Sequence, residues 1–154
     1  MSELTTDDST RTHFPPHGRI TIKTHDNCIV IYHARGPFNE EIIHALEEIE
    51  SELLTKMSQL NEHWVEVVEF EHSCLATLEA LKVLEALMLK MRYEGKTPEA
   101  SAFVFPPGLE GVETMESLYQ TVLQNAGIQF RLFDNFDDAL NWARNKLKKT
   151  RLNN

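Results

Sequence analysis

The sequence has few of the features that mark a secreted, membrane-spanning or nucleic-acid-binding protein. Two cysteines, Cys28 and Cys74, are too few for a disulfide framework, so we expect reduced thiols and a cytoplasmic location. No apolar run approaches the length that crosses a bilayer, which predicts no integral membrane segment. The formal net charge of -9 argues against nucleic-acid binding, which needs clustered lysine and arginine to neutralise phosphates.

Motifs for catalysis, metal binding and phosphate binding are also missing. The seven histidines are scattered, and no spacing resembles a metal-ligand set such as His-Glu-x-x-His. The glycine-containing segment 106–111 lacks the lysine and the serine or threonine of a phosphate-binding loop. We therefore expect no catalytic residues, no metal and no cofactor.

The length and composition are those of one globular domain. The chain has 154 residues, of which 42% are hydrophobic and 25% charged, and this is enough to bury a substantial core. Residues 1–17 are polar and carry no secretory signal pattern, which predicts a flexible tail. We expect a single domain at 18–149 and a frayed C-terminal tail at 150–154.

The first half of the domain shows a β-hairpin and then an amphipathic helix. Residues 19–24 and 28–33 read as strands around a His-Asp-Asn turn, and Asn39 is placed to cap the helix that follows. One apolar stripe predicts the buried face of that helix, with Ile42, Leu46, Ile49, Leu53 and Met57. The acidic residues between them are expected on its solvent face, namely Glu47, Glu48, Glu50 and Glu52.

The second half alternates strands and helices. Residues 65–70 form an apolar run, followed by a polar turn and a helical pattern that ends near Gly95. Later patterns predict strands at 100–105 and 128–133, and helices that begin near Met115 and Phe136. The resulting order, β-β-α-β-α-β-α-β-α, predicts an α/β fold with a mostly parallel sheet and packed helices.

The helix after residue 74 has more apolar residues than one buried face requires. Leu75, Leu78, Ala86 and Leu89 are interspersed with its charged residues. Either a neighbouring loop or helix covers them in part, or they form a surface for a partner or a second copy, because exposed apolar patches usually mark interaction sites.

The turn that precedes this helix is the candidate functional segment, since ligands of open α/β sheets meet the carboxyl ends of the strands. Ser73 is expected near a helix N-terminus, where it can cap backbone N–H groups or accept a phosphate. Cys74 with His72 as its base could form a thiol nucleophile, and the alternative is a small buried residue.

Four pieces of the sequence together resemble one known family. They are the hairpin followed by Gly36-Pro37-Phe38, the strand and turn before Leu75 and Leu78, the strand at 100–105, and the segment 133–142. The last piece is similar to a closing pattern of the form F-d-s-x-e-e-A-l-x-W. In this order the chain resembles the SpoIIAA-like branch of the STAS (sulfate transporter and anti-sigma-factor antagonist) domains.

The resemblance implies a small regulator, bacterial in style, that binds a protein or a small ligand near this turn. In the antagonists of that family an Asp-Ser-Ser-Gly type motif carries the phosphorylated serine. Here residues 71–75 read Glu-His-Ser-Cys-Leu. Alignment on Leu75 puts His72 at the phosphorylated position, whereas a shift of one residue makes Ser73 the phosphorylation site.

These observations leave three functional hypotheses. The first is a non-enzymatic regulatory domain that binds an unknown protein partner, or a second copy as a homodimer. Its surface would comprise Glu71, His72, Ser73, Cys74, Leu75, Leu78 and Leu89. The second is a small-molecule or lipid-binding domain with an apolar pocket, as in SEC14-like proteins. The third is a thiol enzyme that uses Cys74 and His72.

Overall fold

The structure, a computed structural model, describes residues 3–10, 15–60 and 63–153, with side chains described as far as residue 150. It is an α/β fold in which a six-stranded mixed sheet packs against four helices. The strands are β1 (Leu4–Thr5), β2 (Arg19–His25), β3 (Ile29–Arg35), β4 (Val65–Glu71), β5 (Ala100–Val104) and β6 (Gln129–Phe133). The helices are α1 (Glu40–Leu60), α2 (Leu78–Tyr93), α3 (Val112–Asn125) and α4 (Phe136–Asn153).

The strands lie in the sheet in the order of the sequence. β1 pairs with β2 and β2 with β3 in antiparallel fashion, whereas β3, β4, β5 and β6 are parallel neighbours. The predicted succession from hairpin to last helix is therefore confirmed. The sheet is mixed, because the hairpin and β1 contribute two antiparallel pairs beside three parallel ones.

Residues 4–8 form an element that the polar N-terminal sequence did not indicate. Leu4 and Thr5 pair with β2, and a short 3₁₀ helix (Thr6–Asp8) follows. Thr6 is buried, and its hydroxyl oxygen accepts a 3.0 Å hydrogen bond from the N–H of Ile20. The pairing depends on contact with a strand more than ten residues away, which local composition does not reveal.

The sheet separates two apolar layers. In β3, Val30, Tyr32 and Ala34 belong to a large core with α1, α2 and α3, whereas Ile29 and Ile31 belong to a smaller core with α4. This alternation follows from the two-residue period of a strand, and both faces are covered as expected for parallel strands. None of the described helices has the length and apolar content needed to span a membrane.

Side chains cap the N-termini of α1, α4 and α2 by accepting hydrogen bonds from backbone N–H groups. Asn39 accepts a 3.2 Å hydrogen bond from the N–H of Ile42, as the sequence indicated, and Asn135 accepts one of 2.9 Å from the N–H of Asp138. For α2 the expected cap at Ser73 is wrong. The cap lies four residues later, where Thr77 accepts a 3.0 Å hydrogen bond from the N–H of Ala80, and the helix begins at Leu78.

Candidate functional site

The segment between β4 and α2 is an extended strap. The N–H groups of Gly36 and Phe38 donate hydrogen bonds of 3.1 and 2.8 Å to the carbonyls of Ser73 and Leu75. On the opposite side, the N–H of Cys74 donates a 2.9 Å hydrogen bond to the carbonyl of Glu110. The strap is thus held between the loop after β3 and the loop before α3, with isolated bridges on both sides.

Ser73 lies inside the protein. Its side chain is fully buried, and its hydroxyl oxygen accepts a 3.1 Å hydrogen bond from the N–H of Leu75. This hydrogen bond closes a tight turn within the strap and explains why Ser73 does not reach α2. A kinase could reach Ser73 only after the strap had separated from its neighbours, and phosphorylation there stays a prediction.

Cys74 and His72 point to different environments. Cys74 is fully buried, and burial raises the pKa of its thiol to about 11. His72 is exposed, in a left-handed backbone conformation with φ 69°. A nucleophilic cysteine needs a lowered pKa and access to substrate, so the geometry favours a structural role for Cys74.

The remaining predicted surface divides between exposed and covered residues. Glu71 and His72 are exposed, and Glu71 pairs with Arg35 at 2.8 Å. Leu75 is half-buried and lies so close to Gly111 that a β-carbon there would come within 2.7 Å of the leucine side chain. Leu78 and Leu89 are exposed on α2. The polar residues before the strap and the leucines of α2 after it are thus exposed, whereas the centre of the strap, Ser73 and Cys74, lies inside.

The outward side of α2 carries an apolar ridge. Leu78, Lys82, Leu89 and Tyr93 fall within about 60° of one another at 100° per residue, and all four are exposed. We call these four residues the outer ridge. Tyr93, which the sequence analysis did not single out, is the most exposed of them at 93%.

The inward side of α2 covers a cavity of about 90 Å³ between the helix and the sheet. Helices α1 and α3 and strands β2 to β5 complete its walls, which are mainly apolar. The wall from α2 consists of Ala80, Leu81, Leu84, Leu87, Met88 and Met91. One helix therefore forms both the roof of the cavity and, on its other side, the outer ridge.

The polar side chains of the cavity come from four elements, β3, α1, β4 and α3. Glu50 of α1 is 4% exposed and Glu66 of β4 is 7% exposed. The hydroxyl of Tyr32, on β3, donates a 2.7 Å hydrogen bond to Glu50 Oε2. Tyr119 also lines the cavity, but its hydroxyl donates to the carbonyl of Cys74 at 2.7 Å. The two carboxyl groups are thus the main hydrogen-bond acceptors in the cavity.

Burial dominates the protonation of these carboxyl groups. Desolvation raises the pKa of Glu50 to about 8, although the hydrogen bond from Tyr32 opposes the shift and the charges of Glu66 and Glu47 add to it. Desolvation raises the pKa of Glu66 to about 7, and the nearby Ser101 side chain opposes this shift. Both groups therefore titrate near neutral pH, where small changes in the surroundings alter their charge.

The expected position of Glu50 on the solvent face of α1 is wrong. Ile43 and Leu54 are buried as well, so the apolar arc of the helix is wider than the five-residue stripe. At 100° per residue, Glu50 falls between Met57 and Ile43 on that arc, and this was the signal that could have revealed it. Glu66 was detectable too, because strand alternation places it on the same face as Val68.

A second depression, of about 370 Å³, lies at the carboxyl ends of β3 and β4. His33 Nδ1 lies 3.0 Å from Glu69 Oε1, and the imidazole stacks on Phe136 with ring centroids 6.5 Å apart. His33 and Glu69, which both line this depression, are thus engaged with each other. Across the described ranges, no group of three or more His, Cys, Asp or Glu side chains is arranged to hold a metal ion.

Two comparisons with known proteins found no match for this chain. No protein-family model matches it, and no curated protein matches it at a significant level. Its function therefore has to be argued from the geometry of the molecule.

Proposed function

We propose that this chain is a non-enzymatic binding domain whose ligand site is the cavity beneath α2. The observation that carries the proposal is the combination of apolar walls with two buried carboxyl groups and one tyrosine hydroxyl. Small-molecule sites are typically concave and apolar with a few placed polar groups that fix orientation. A cavity that only reflected imperfect packing would have no need of ionisable side chains.

The size of the cavity limits the ligand. At about 90 Å³ it is smaller than the ~150 Å³ apolar cavity that accommodates benzene. A compact ligand of a few heavy atoms therefore fits beneath α2 as it stands, and a longer acyl chain requires the helix to move outward. This constraint favours a small molecule over a bulky lipid.

The seam between α1 and α2 supplies a route to the cavity. A smaller depression of about 50 Å³ lies on this seam and shares Glu50, Leu87 and Met91 with the cavity. Lys90 of α2 lies 3.9 Å from Glu47 of α1 across the same seam. This exposed ion pair is weak enough to open when a ligand enters.

We also propose that the chain belongs to the SpoIIAA-like branch of the STAS domains. A β-hairpin followed by three parallel crossovers, with one helix on the opposite face, supports the assignment. The strap then corresponds to the regulatory turn of that family. Regulation by phosphorylation of Ser73 would require the strap to open, whereas regulation by a ligand beneath α2 would not.

Leucine substitutions at two alanines of α2 test the cavity function. Ala80 lines the cavity and Ala86 is exposed, so Ala80→Leu fills the site while Ala86→Leu adds the same group to the surface. Protein purified from its native cells would be extracted with organic solvent and analysed by mass spectrometry. We expect a small molecule with wild type and Ala86→Leu, and none with Ala80→Leu. Equal recovery from all three proteins, or no recovery from wild type, would contradict the proposal.

The outer ridge favours a second candidate function, self-association through α2. Three of the four large hydrophobic side chains that are exposed in the described structure are Leu78, Leu89 and Tyr93, and all three lie on this helix. Two copies could bury these ridges against each other, which would remove the exposed apolar surface from water.

Sedimentation velocity tests this second candidate. We expect wild type to dimerise and the double variant Leu78→Asp/Leu89→Asp to be monomeric. Leu60→Asp is the matched control, because Leu60 is also an exposed leucine but lies at the end of α1. A monomeric wild type, or a dimer that the double variant leaves intact, would rule out the ridge as a dimer surface.

A further inference from the structure

Glu50 and Glu66 are buried at the cavity without a basic partner. A carboxylate removed from water is normally paired with a cation, or it keeps its proton. Each ion pair that a lysine, arginine or histidine forms in the described part of the chain has a carboxylate other than Glu50 or Glu66 as its partner. The protein therefore places two acids inside and supplies no positive charge for them.

The lysines nearest to this region are already engaged. Lys90 and Lys96 border the depression that shares Glu50 with the cavity. Lys90 pairs with Glu47 at 3.9 Å, and Lys96 pairs with Glu94 at 3.2 Å. Neither lysine neutralises the buried pair.

The groups that act on Glu50 are one hydrogen-bond donor and two further acids. Tyr32 donates to it from β3, Glu66 raises its pKa from β4, and Glu47 does so from α1. On the α2 side the cavity wall is apolar. The local potential therefore attracts positive charge and repels anions, whereas the rest of the cavity attracts hydrocarbon.

These two preferences define a ligand class. A neutral apolar molecule would leave the carboxyl groups without a new partner, and an anion would be repelled by them. An inorganic cation would gain the charge interaction but would leave the apolar walls uncovered. A short alkyl chain with a terminal ammonium group satisfies both ends of the site, because its charged donors face the acids and its methylene groups face the leucines and methionines.

We infer that the cavity binds a small primary amine, whose ammonium group pairs with the carboxylates of Glu50 and Glu66 and whose alkyl chain packs against the inward side of α2. The assignment rests on the proposed cavity function and specifies its ligand class. Within the size limit of the cavity, an amine with about four carbons is a suitable probe.

Amine binding is coupled to the release of a proton. In the absence of a cation, Glu50 keeps its proton at neutral pH, because burial raises its pKa to about 8. The arriving ammonium group stabilises the carboxylate, and the displaced proton passes to the buffer. No bond of the amine breaks, and its nitrogen stays protonated throughout.

Isothermal titration calorimetry at pH 7 with n-butylamine hydrochloride and n-butanol tests the inference. The two probes have nearly the same shape and differ in charge. We expect wild type to bind the amine at least about 10-fold more tightly than the alcohol, since charge-assisted hydrogen bonds are the stronger ones. Titrations in two buffers with different ionisation enthalpies should show a release of about one proton or more per amine, because Glu50 is largely and Glu66 about half protonated at pH 7.

Glutamine variants test whether Glu50 and Glu66 are responsible for amine binding and for the release of the proton. Glu50→Gln and Glu66→Gln should each weaken amine binding by about 10-fold or more and reduce proton release, because the amide cannot ionise. Glu52→Gln is the matched control, since Glu52 lies on the same helix with its side chain in solvent. Circular dichroism confirms that each variant is folded, and either buried variant is sufficient for the test.

The possible results of these titrations distinguish a wrong ligand class from a wrong binding site. Equal affinity for the amine and the alcohol would overturn the amine assignment and leave the cavity function in place. Amine binding that survives in both glutamine variants would overturn it as well. Binding of neither probe to wild type would contradict both the ligand class and the cavity function.

Discussion

Tyr32 and Glu50 connect the central sheet to α1 through a 2.7 Å hydrogen bond inside the protein. The phenolic hydroxyl donates and the carboxyl oxygen accepts. The pair forms part of the cavity wall beneath α2, so it contributes both to the cohesion of the fold and to the polarity of the proposed site. Stability and ligand binding should therefore respond to the same side chains.

The stability of the protein should fall as the pH rises from 5 to 8.5. A carboxyl group with a raised pKa binds more protons in the folded state, so its stabilising effect is complete below the unfolded pKa of 4.5 and is lost as the pH passes the folded value of about 8. The shift at Glu50 corresponds to a loss on the order of 3–5 kcal/mol. Urea denaturation across this pH range measures it.

Glu50→Gln should flatten that pH dependence, because the variant has no proton to lose at this position. Glu52→Gln removes an exposed acid from the same helix and should leave the slope unchanged. A wild-type protein as stable at pH 8.5 as at pH 5, or a slope equally steep in Glu50→Gln, would show that Glu50 is not a buried neutral acid.

Tyr32→Phe should destabilise the protein by about 1–3 kcal/mol, because Glu50 loses its hydrogen-bond donor while it remains buried. The effect should be larger at pH 8.5 than at pH 5, since the ionised carboxylate needs a donor more than the neutral acid does. Tyr93→Phe removes the same hydroxyl from an exposed position and should change stability by less than about 0.5 kcal/mol. Thermal and urea denaturation at both pH values would reveal whether the two variants differ.

Gly111→Ala should disturb the contact between the strap and α3. Gly111 has φ 93°, and a β-carbon there would lie 2.7 Å from the side chain of Leu75. Gly108 has a similar φ of 83° but nothing within 4 Å of such a carbon. Gly108→Ala therefore measures the backbone strain alone, about 1–2 kcal/mol. We expect Gly111→Ala to cost clearly more in urea denaturation, and equal losses would mean that Leu75 moves aside freely.

Cys74 should react slowly with iodoacetamide in the native protein. The rise of its pKa from 9.0 to about 11 reduces the thiolate fraction about 100-fold at pH 7.5, and burial restricts access further. Mass spectrometry of timed samples, with a urea-unfolded sample as reference, gives the rate. Rapid labelling of Cys74 in the folded protein would restore the thiol-enzyme hypothesis.

Much of this fold could be predicted from the sequence because its turns, its helix caps and its alternation of strands with helices depend on residues that are close together in the chain. The hairpin turn at 25–27, the cap at Asn39 and the alternation of strands with helices each depend on neighbouring residues. β1 escaped prediction because a two-residue strand has no periodicity of its own and depends on β2 for its hydrogen bonds.

The site was harder to predict because its geometry is not local. The strap is fixed by hydrogen bonds to Gly36, Phe38 and Glu110, which are distant in sequence, and they place Ser73 inside and the start of α2 at Leu78. Glu50 looked like one of several solvated acids until the width of the buried arc on α1 was known. The excess of apolar residues on α2 was visible in the sequence, but no local pattern reveals that a cavity lies beneath this helix.

Methyl NMR of methionine-labelled protein tests the ligand site most directly. Met88 and Met91 line the cavity, whereas Met57 and Met115 are buried in the same core without lining it. On addition of n-butylamine, with n-butanol for comparison, we expect the Met88 and Met91 signals to shift and those of Met57 and Met115 to stay in place. If neither compound moves the Met88 and Met91 signals, or if all four respond alike, the cavity beneath α2 is not a binding site.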